Sequence, residues 1–224
     1  EVRWYFIVVI VSAAIITIEL CRAAAPFATA LRDSAFQVAS IITTTGFSTT
    51  DFNLWPGTCK TILVILMFVG ACAGSTGGGM KVSRFVILFK TVFKELDYYI
   101  HPKRIQKLAL DGKPIDHDVV RSINVYFITF AVIFVISLFL VSFEGNDLVT
   151  NFTAVAATIN NIGPGLELAG PTQNFGLFSM LTKYVLMFDM LAGRLELFPL
   201  LILFHPAVWK DLHTTHRNWR RRRK

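Results

Sequence analysis

Two short stretches hold the residues best suited to chemistry, Thr43-Thr44-Thr45-Gly46-Phe47 and Asn161-Ile162-Gly163-Pro164-Gly165. Each sets glycine among small or polar neighbours. A small cation that loses its water inside a membrane needs replacement oxygens at close range, and rings of backbone carbonyls supply them in selective pores. Glycine reaches backbone conformations that turn neighbouring carbonyls toward an axis. Gly46 and Gly163 fit the pivots of such loops. Thr44, Thr45 and Phe47 in one, and Asn161, Ile162 and Pro164 in the other, fit the carbonyl donors. The competing reading of each stretch is a plain turn between helices.

A third stretch, Gly74-Ser75-Thr76-Gly77-Gly78-Gly79, is followed by Met80-Lys81. A phosphate-binding loop needs lysine directly after glycine, and Met80 intervenes. Its clustered glycines with Ser75 and Thr76 suit unwound backbone bordering a cavity, or a close helix-packing patch. Arg194 lies within an apolar segment, where a charge costs about 2.5–3.5 kcal/mol on insertion scales. It must therefore face protein or water, and Asp189 and Glu196 are the ion-pair candidates. Ser75 as the nucleophile of an intramembrane enzyme lacks a base at similar depth, so no catalytic residue is assigned. His213 and His216 in the basic tail are a weak metal pair. Asn151-Phe152-Thr153 matches a glycosylation triplet inside a helical stretch. Cys21 and Cys59 establish no disulfide by sequence alone.

The elements that must position these residues are membrane segments. The 224 residues are 54% hydrophobic and only 17% charged, with mean hydropathy +0.55, against about 25% charged in soluble domains. Four blocks are long enough to cross a bilayer, which takes about 20 apolar residues: Trp4–Leu20, Thr61–Tyr99, Ile123–Phe143 and Phe175–Phe204. The second is long enough to be two pieces, interrupted at Gly74–Gly79. Between them lie two shorter stretches, Pro26–Ile42 and Asp147–Asn160, each opening on a helix-start signal and each ending in one of the glycine loops. A half-length helix returning as extended chain is a pore-loop pattern. Gly46 and Gly163 are 117 residues apart, a shift that sets Trp4 opposite Arg121, and farther along Ala73-Gly74 matches Ala192-Gly193 at a shift of 119. The unit of long helix, half helix, glycine loop and long helix thus occurs twice. Repeats of this kind place sites at their interface.

Charge predicts the topology. Of 22 Lys and Arg, nine fall between Lys81 and Arg121 and seven between Lys210 and Lys224. Basic flanking loops mark the cytoplasmic side, and the Arg220–Lys224 run suits anionic lipid headgroups. The formal charge of +7 therefore reads as topology rather than nucleic-acid binding. The loop from Phe143 to Phe175 has Glu144, Asp147 and Glu167 but no Lys or Arg, so both glycine loops face outside, behind an acidic rim that attracts cations. The expected divisions are residues 1–100, a cytoplasmic linker 101–120, a second repeat 121–209 and a basic tail 210–224.

Together the two glycine loops, Gly74–Gly79 and Gly193-Arg194-Leu195-Glu196 resemble the membrane subunit of bacterial Trk-type potassium uptake systems, within the superfamily that includes Ktr and the plant high-affinity transporters. The resemblance covers about Trp4 to Trp209. It implies an all-α membrane protein whose two helix–pore-loop–helix repeats are the third and fourth of a pseudo-fourfold pore. It implies inward potassium movement across the bacterial inner membrane, through a filter whose only metal is the transported potassium, bound at Thr44, Thr45, Gly46, Phe47, Asn161, Ile162, Gly163 and Pro164. The Gly74–Gly79 segment and Arg194 would gate it, with Arg194 opposing cation passage. A sodium-permeable relative is the nearest alternative. The resemblance further implies a homodimer and a cytoplasmic nucleotide-binding regulatory ring on basic loops such as Lys103–Lys113, and no cofactor in this chain. A family member carries four repeats, so a start at Glu1 reads as a C-terminal part of a longer chain or as a half-size subunit.

Overall fold

A computed structural model of the chain describes residues 2–70, 72, 74–75, 77–101, 109–110, 113–195, 197, 199 and 202. Its elements follow the apolar blocks. Helix α1 spans Val2–Arg22 and α5 spans His117–Ser142. At 1.5 Å per residue these are about 31 and 39 Å long, enough for a hydrocarbon core of about 30 Å. Both leave apolar surface open. Along α5, Ile128, Val132, Val135, Ile136 and Phe139 are more than half exposed, a stripe that water would disfavour and lipid accommodates.

The half helices fall where the start signals place them. Helix α2 spans Phe27–Ile42 with Pro26 at its N-cap. Helix α6 spans Leu148–Ile159, and the Asp147 carboxylate at its N-cap accepts from the Val149 N–H. The cap satisfies one of the donors that every helix start leaves open. Nine of the twelve α6 residues are buried, the polar Thr150, Asn151, Thr153 and Thr158 among them.

The second apolar block divides earlier than its glycines suggest. Helix α3 spans Gly57–Phe68, and the chain then leaves the helix at Val69, five residues before Gly74. Strand β1, Val69–Gly70, pairs in parallel with β2, Met80–Lys81, tying the two ends of a glycine-rich strap. Helix α4, Val82–Ile100, follows. The linker contributes a short hairpin of β3, Ala109–Leu110, and β4, Lys113–Pro114, whose Ala109 carbonyl accepts from Lys90 Nζ. The last block begins with a 3-10 turn at Phe175–Leu177. Helix α7, Met180–Arg194, starts on the hydroxyl of Ser179. Beside it, Glu144 accepts from the Ser179 N–H and Oγ. Partial desolvation pushes the Glu144 pKa up, but the hydrogen bonds from Thr182 and Ser179 outweigh it and hold the carboxyl below its ordinary value.

Ile16, Val38, Ile41, Leu63 and Met67 join α1, α2 and α3, with the Thr17 and Ser34 hydroxyls hydrogen-bonded at 2.6 Å inside that contact. This core of the first repeat also takes in Ala156, Ile162 and Leu166 of the second. Val141, Ala154, Val155 and Leu186 join α5, α6 and α7. Phe68, the last residue of α3, adds an aromatic link between the repeats. Its ring lies 6.4 Å from Phe130, 5.5 Å from Phe134 and 6.1 Å from Phe152, within the range of edge-to-face attraction. A second link lies in the loops. Asn53 Oδ1 accepts from the Glu167 N–H at 2.9 Å while its Nδ2 donates to the Glu167 carbonyl at 3.2 Å.

Phe68→Ala removes the ring that bridges both repeats. It should destabilise the protein by about 3 kcal/mol, read as a lowered thermal midpoint in detergent with helix content retained before melting. An unchanged midpoint would show that the aromatic cluster does not join the repeats.

Candidate functional site

The two half helices end in the same way, bond for bond. After α2, the Thr44 N–H donates to the Ile41 carbonyl, the Thr45 N–H to Ser40 at 2.8 Å and the Gly46 N–H to Ser40 at 3.4 Å. After α6, Asn161 donates to Thr158, Ile162 to Ala157 at 2.8 Å and Gly163 to Ala157 at 3.4 Å. These are Schellman closures, which require a left-handed residue just past the helix. Thr44 and Asn161 occupy it with φ of 56° and 55°. Glycine is the usual occupant because a side chain there is strained. Gly46 and Gly163 follow two residues later, with φ of 78° and 112°.

This geometry divides donors from acceptors. The N–H groups from Thr44 to Gly46 and from Asn161 to Gly163 turn back into their helices. The carbonyls of Thr44, Thr45, Gly46, Asn161, Ile162 and Gly163 accept no hydrogen bond from the described residues. Phe47 differs, because its carbonyl accepts from Ser40 Oγ at 2.5 Å. Its side chain is 73% exposed. Neither helix carries a basic residue in its last turn, so the negative ends of both helix dipoles reach the loops uncompensated. That field favours a cation.

The loops touch. A Cβ on Gly46 would lie 2.0 Å from the Ile162 carbonyl oxygen and 3.3 Å from Pro164 Cδ. Only glycine fits there, by φ and by space. Around Gly163 the corresponding direction is open among the described residues, beside a mostly apolar groove of about 560 Å³ that Leu186, Met187 and Met190 line.

The glycine-rich strap packs against the same helix ends. A Cβ on Gly78 would approach the Asn160 carbonyl oxygen to 2.4 Å, and the Gly78 N–H donates to Thr44 Oγ1 at 3.2 Å. Gly193 is closer still, since its Cβ would fall 1.7 Å from the Ile159 carbonyl oxygen. Asn161 Nδ2 donates to the Met190 carbonyl at 3.0 Å, in the turn before Arg194. A cavity of about 230 Å³ gathers Ser75, Gly77 and Gly79 with Lys81, Arg84 and Arg194. The Arg84 guanidinium also sits 4.0 Å over the Tyr126 ring. Gly74, with φ of 84°, stands apart in open space among the described residues.

The Arg194–Asp189 pair considered from sequence does not form. Asp189 is fully buried and its Oδ1 accepts from Ser137 Oγ at 2.6 Å, whereas Arg194, the last residue of α7, is exposed to the cavity. The helix turn between them sends the two side chains to different sides. Ser75 Oγ accepts from the Gly77 N–H, and neither carboxylate nor imidazole is among the described residues lining its cavity. Cys21, Cys59 and Cys72 form no disulfide among the described residues. Thr76, Glu196, the Lys103–Lys107 part of the basic linker and the tail from residue 203 onward lie outside the described residues.

Sequence reasoning missed three contributors. Ser40 engages the Phe47 carbonyl, Asn160 has its side-chain oxygen buried beside Gly79 without a partner among the described residues, and Asn53 holds the Glu167 backbone. Lys60 also lies 3.4 Å from the Glu167 carboxylate, so part of the acidic rim is neutralised. The asparagine ending the second half helix was in view. Its orphaned oxygen was not.

A family profile, TrkH (cation transport protein), matches residues 4–211. The chain is 37% identical over 183 residues to the Trk system potassium uptake protein TrkH of Salmonella typhimurium, covering 82% of this chain and 38% of that protein. It is 41% identical over 183 residues to the TrkH of Vibrio parahaemolyticus, covering 81% and 37%. The crystal structure of the potassium transporter TrkH from Vibrio parahaemolyticus superposes with a TM-score of 0.84 at 36% identity, over 92% of this chain and 44% of that one. The chain thus spans less than two-fifths of the length of these curated relatives. It is an all-α membrane protein of two helix–pore-loop–helix repeats, and it belongs to the TrkH family of cation transport proteins.

Proposed function

We propose that the chain supplies two quadrants of a potassium-uptake pore, with Thr44, Thr45, Gly46, Asn161, Ile162, Gly163 and Pro164 forming half of a carbonyl filter. The observation that carries this reading is the matched pair of helix closures, which leave two sets of carbonyls without donors among the described residues at the negative ends of two helices. A dehydrated cation is the natural partner for such oxygens. The Phe47 carbonyl, already bonded to Ser40, contributes less than its neighbours. The Gly46 contact with Ile162 supplies a pattern for how neighbouring loops meet. The open side of Gly163 is where the next loop of a fourfold arrangement would sit.

Residues 1–100 and 121–209 are the two quadrants, joined by the linker 101–120 and followed by the tail 210–224. Gly74, Ser75, Thr76, Gly77, Gly78 and Gly79, with Arg194, form the gate. The support is the cavity that brings Arg194 to the strap, together with the direct contact between strap and loop ends. A guanidinium in the path repels a cation held at low dielectric. By charge, the linker and tail face the cytoplasm of a bacterial inner membrane and the loops face outside. A homodimer and a nucleotide-binding regulatory ring on the basic linker complete the proposed system.

Flux measurements on the full-length gene product in liposomes test the reading. Gly46→Ser should lower the potassium-over-sodium preference roughly tenfold, equivalent to about 1.4 kcal/mol, because its Cβ displaces the Ile162 carbonyl. Gly163→Ser has room for its side chain and meets only backbone strain, so its loss should be smaller. An unchanged ion preference in both overturns the filter. Arg194→Ala should raise potassium flux several-fold at equal protein in the membrane, and a flux equal to or below the parent removes the gating role.

A further inference from the structure

The two closures use non-glycine residues at the position where glycine is least strained, and this points to a use for the side chains. Thr44 and Asn161 are equivalent across the repeat, with nearly identical φ. Each reaches a different part of the proposed gate. Thr44 Oγ1 accepts from the Gly78 N–H of the strap at 3.2 Å. Asn161 Nδ2 donates to the Met190 carbonyl of α7 at 3.0 Å, one turn before Arg194. We propose that Thr44 and Asn161 are positioning residues that couple filter to gate, Thr44 by latching the strap and Asn161 by setting the end of α7 that presents Arg194.

Backbone closure alone does not ask for these side chains. The Schellman bonds are made by N–H groups and carbonyls, which glycine would form with less strain. A threonine in the left-handed region is an outlier that persists only where its surroundings hold it. The Asn160 side chain adds an independent sign of two states at the same place. Its Nδ2 donates to the Ala156 carbonyl, while its Oδ1 is buried without a partner among the described residues, 3.0 Å from where a Cβ on Gly79 would be. A buried acceptor without a donor disfavours the arrangement that contains it. Gly78 thus bonds the strap to the loop end while Gly79 lies against an acceptor unmet among the described residues, a balance that a small displacement shifts. Because the left-handed residue also orients the carbonyls that follow it, motion of the strap or of α7 reaches the filter through the same residue.

The coupling rests on the filter-and-gate reading, and the experiment separates the two. Potassium flux and potassium-over-sodium preference are measured for the full-length protein in liposomes. Thr44→Val keeps the branched shape and removes the hydroxyl, and should raise flux about 2- to 10-fold, the worth of one hydrogen bond. Thr44→Ser restores a hydroxyl and should bring flux at least halfway back, which a purely steric role does not predict. Asn161→Gly relaxes the strain and deletes the amide. It should raise flux in the parent and add nothing on an Arg194→Ala background, since both changes act on one element. Parental flux in Thr44→Val and Asn161→Gly, or full additivity of Asn161→Gly with Arg194→Ala, overturns the coupling. If Gly46→Ser and Arg194→Ala have behaved as expected, that failure belongs to the coupling alone. If they have not, the filter and gate fail with it.

Discussion

The constraint on which the rest depends is the way α2 and α6 stop. Both helices reach their C-termini inside the protein, where last-turn carbonyls have no water to bond. The chain meets this by folding its next N–H groups back onto Ser40 and Ala157. Once those donors are consumed, the carbonyls that follow have no hydrogen-bond partner among the described residues. One local solution to a helix-end problem thus creates a polar, acceptor-only surface at the negative end of a dipole, twice, in loops that touch.

Close backbone approach then determines what may pack around these ends. The Ile162 carbonyl meets Gly46, and the Ile159 carbonyl meets Gly193 at a distance no side chain tolerates. The glycine strap lies against Asn160 for the same reason. Helices and loops that pack on bare backbone transmit small displacements, because nothing compressible separates them. The proposed gate is held against the proposed filter by this contact, with Thr44 and Asn161 adding the directional bonds. Farther out, Phe68 and Asn53 connect the repeats through an aromatic cluster and an amide clamp.

Much of this was legible because its causes are local. Asp147 and Asn160 mark the ends of α6 almost to the residue, and Pro26 marks the start of α2, since capping depends on a few neighbouring side chains. The 117-residue correspondence between Gly46 and Gly163 reflects the same closure written twice. What escaped detection was set by distant partners. The break after Phe68 depends on Val69 pairing with Met80 across the strap, so Gly74–Gly79 alone misplaced it. Asp189, five residues before Arg194, instead accepts from Ser137, 52 residues away. Asn53 and Glu167, 114 residues apart, carry no shared signal.

By itself the sequence determined most of the elements, their repetition and the placement of a glycine loop at the end of each half helix. All of these follow from composition, period and capping, which act within a few residues. Tertiary structure alone decided that the two loops touch at Gly46 and Ile162, that the strap hangs on Thr44, and that Arg194 faces Ser75 and Gly79 while Asp189 turns into the core. Those outcomes depend on which helix faces pack together, and on whether a side chain or bare backbone lies between them. No spacing along one chain encodes that.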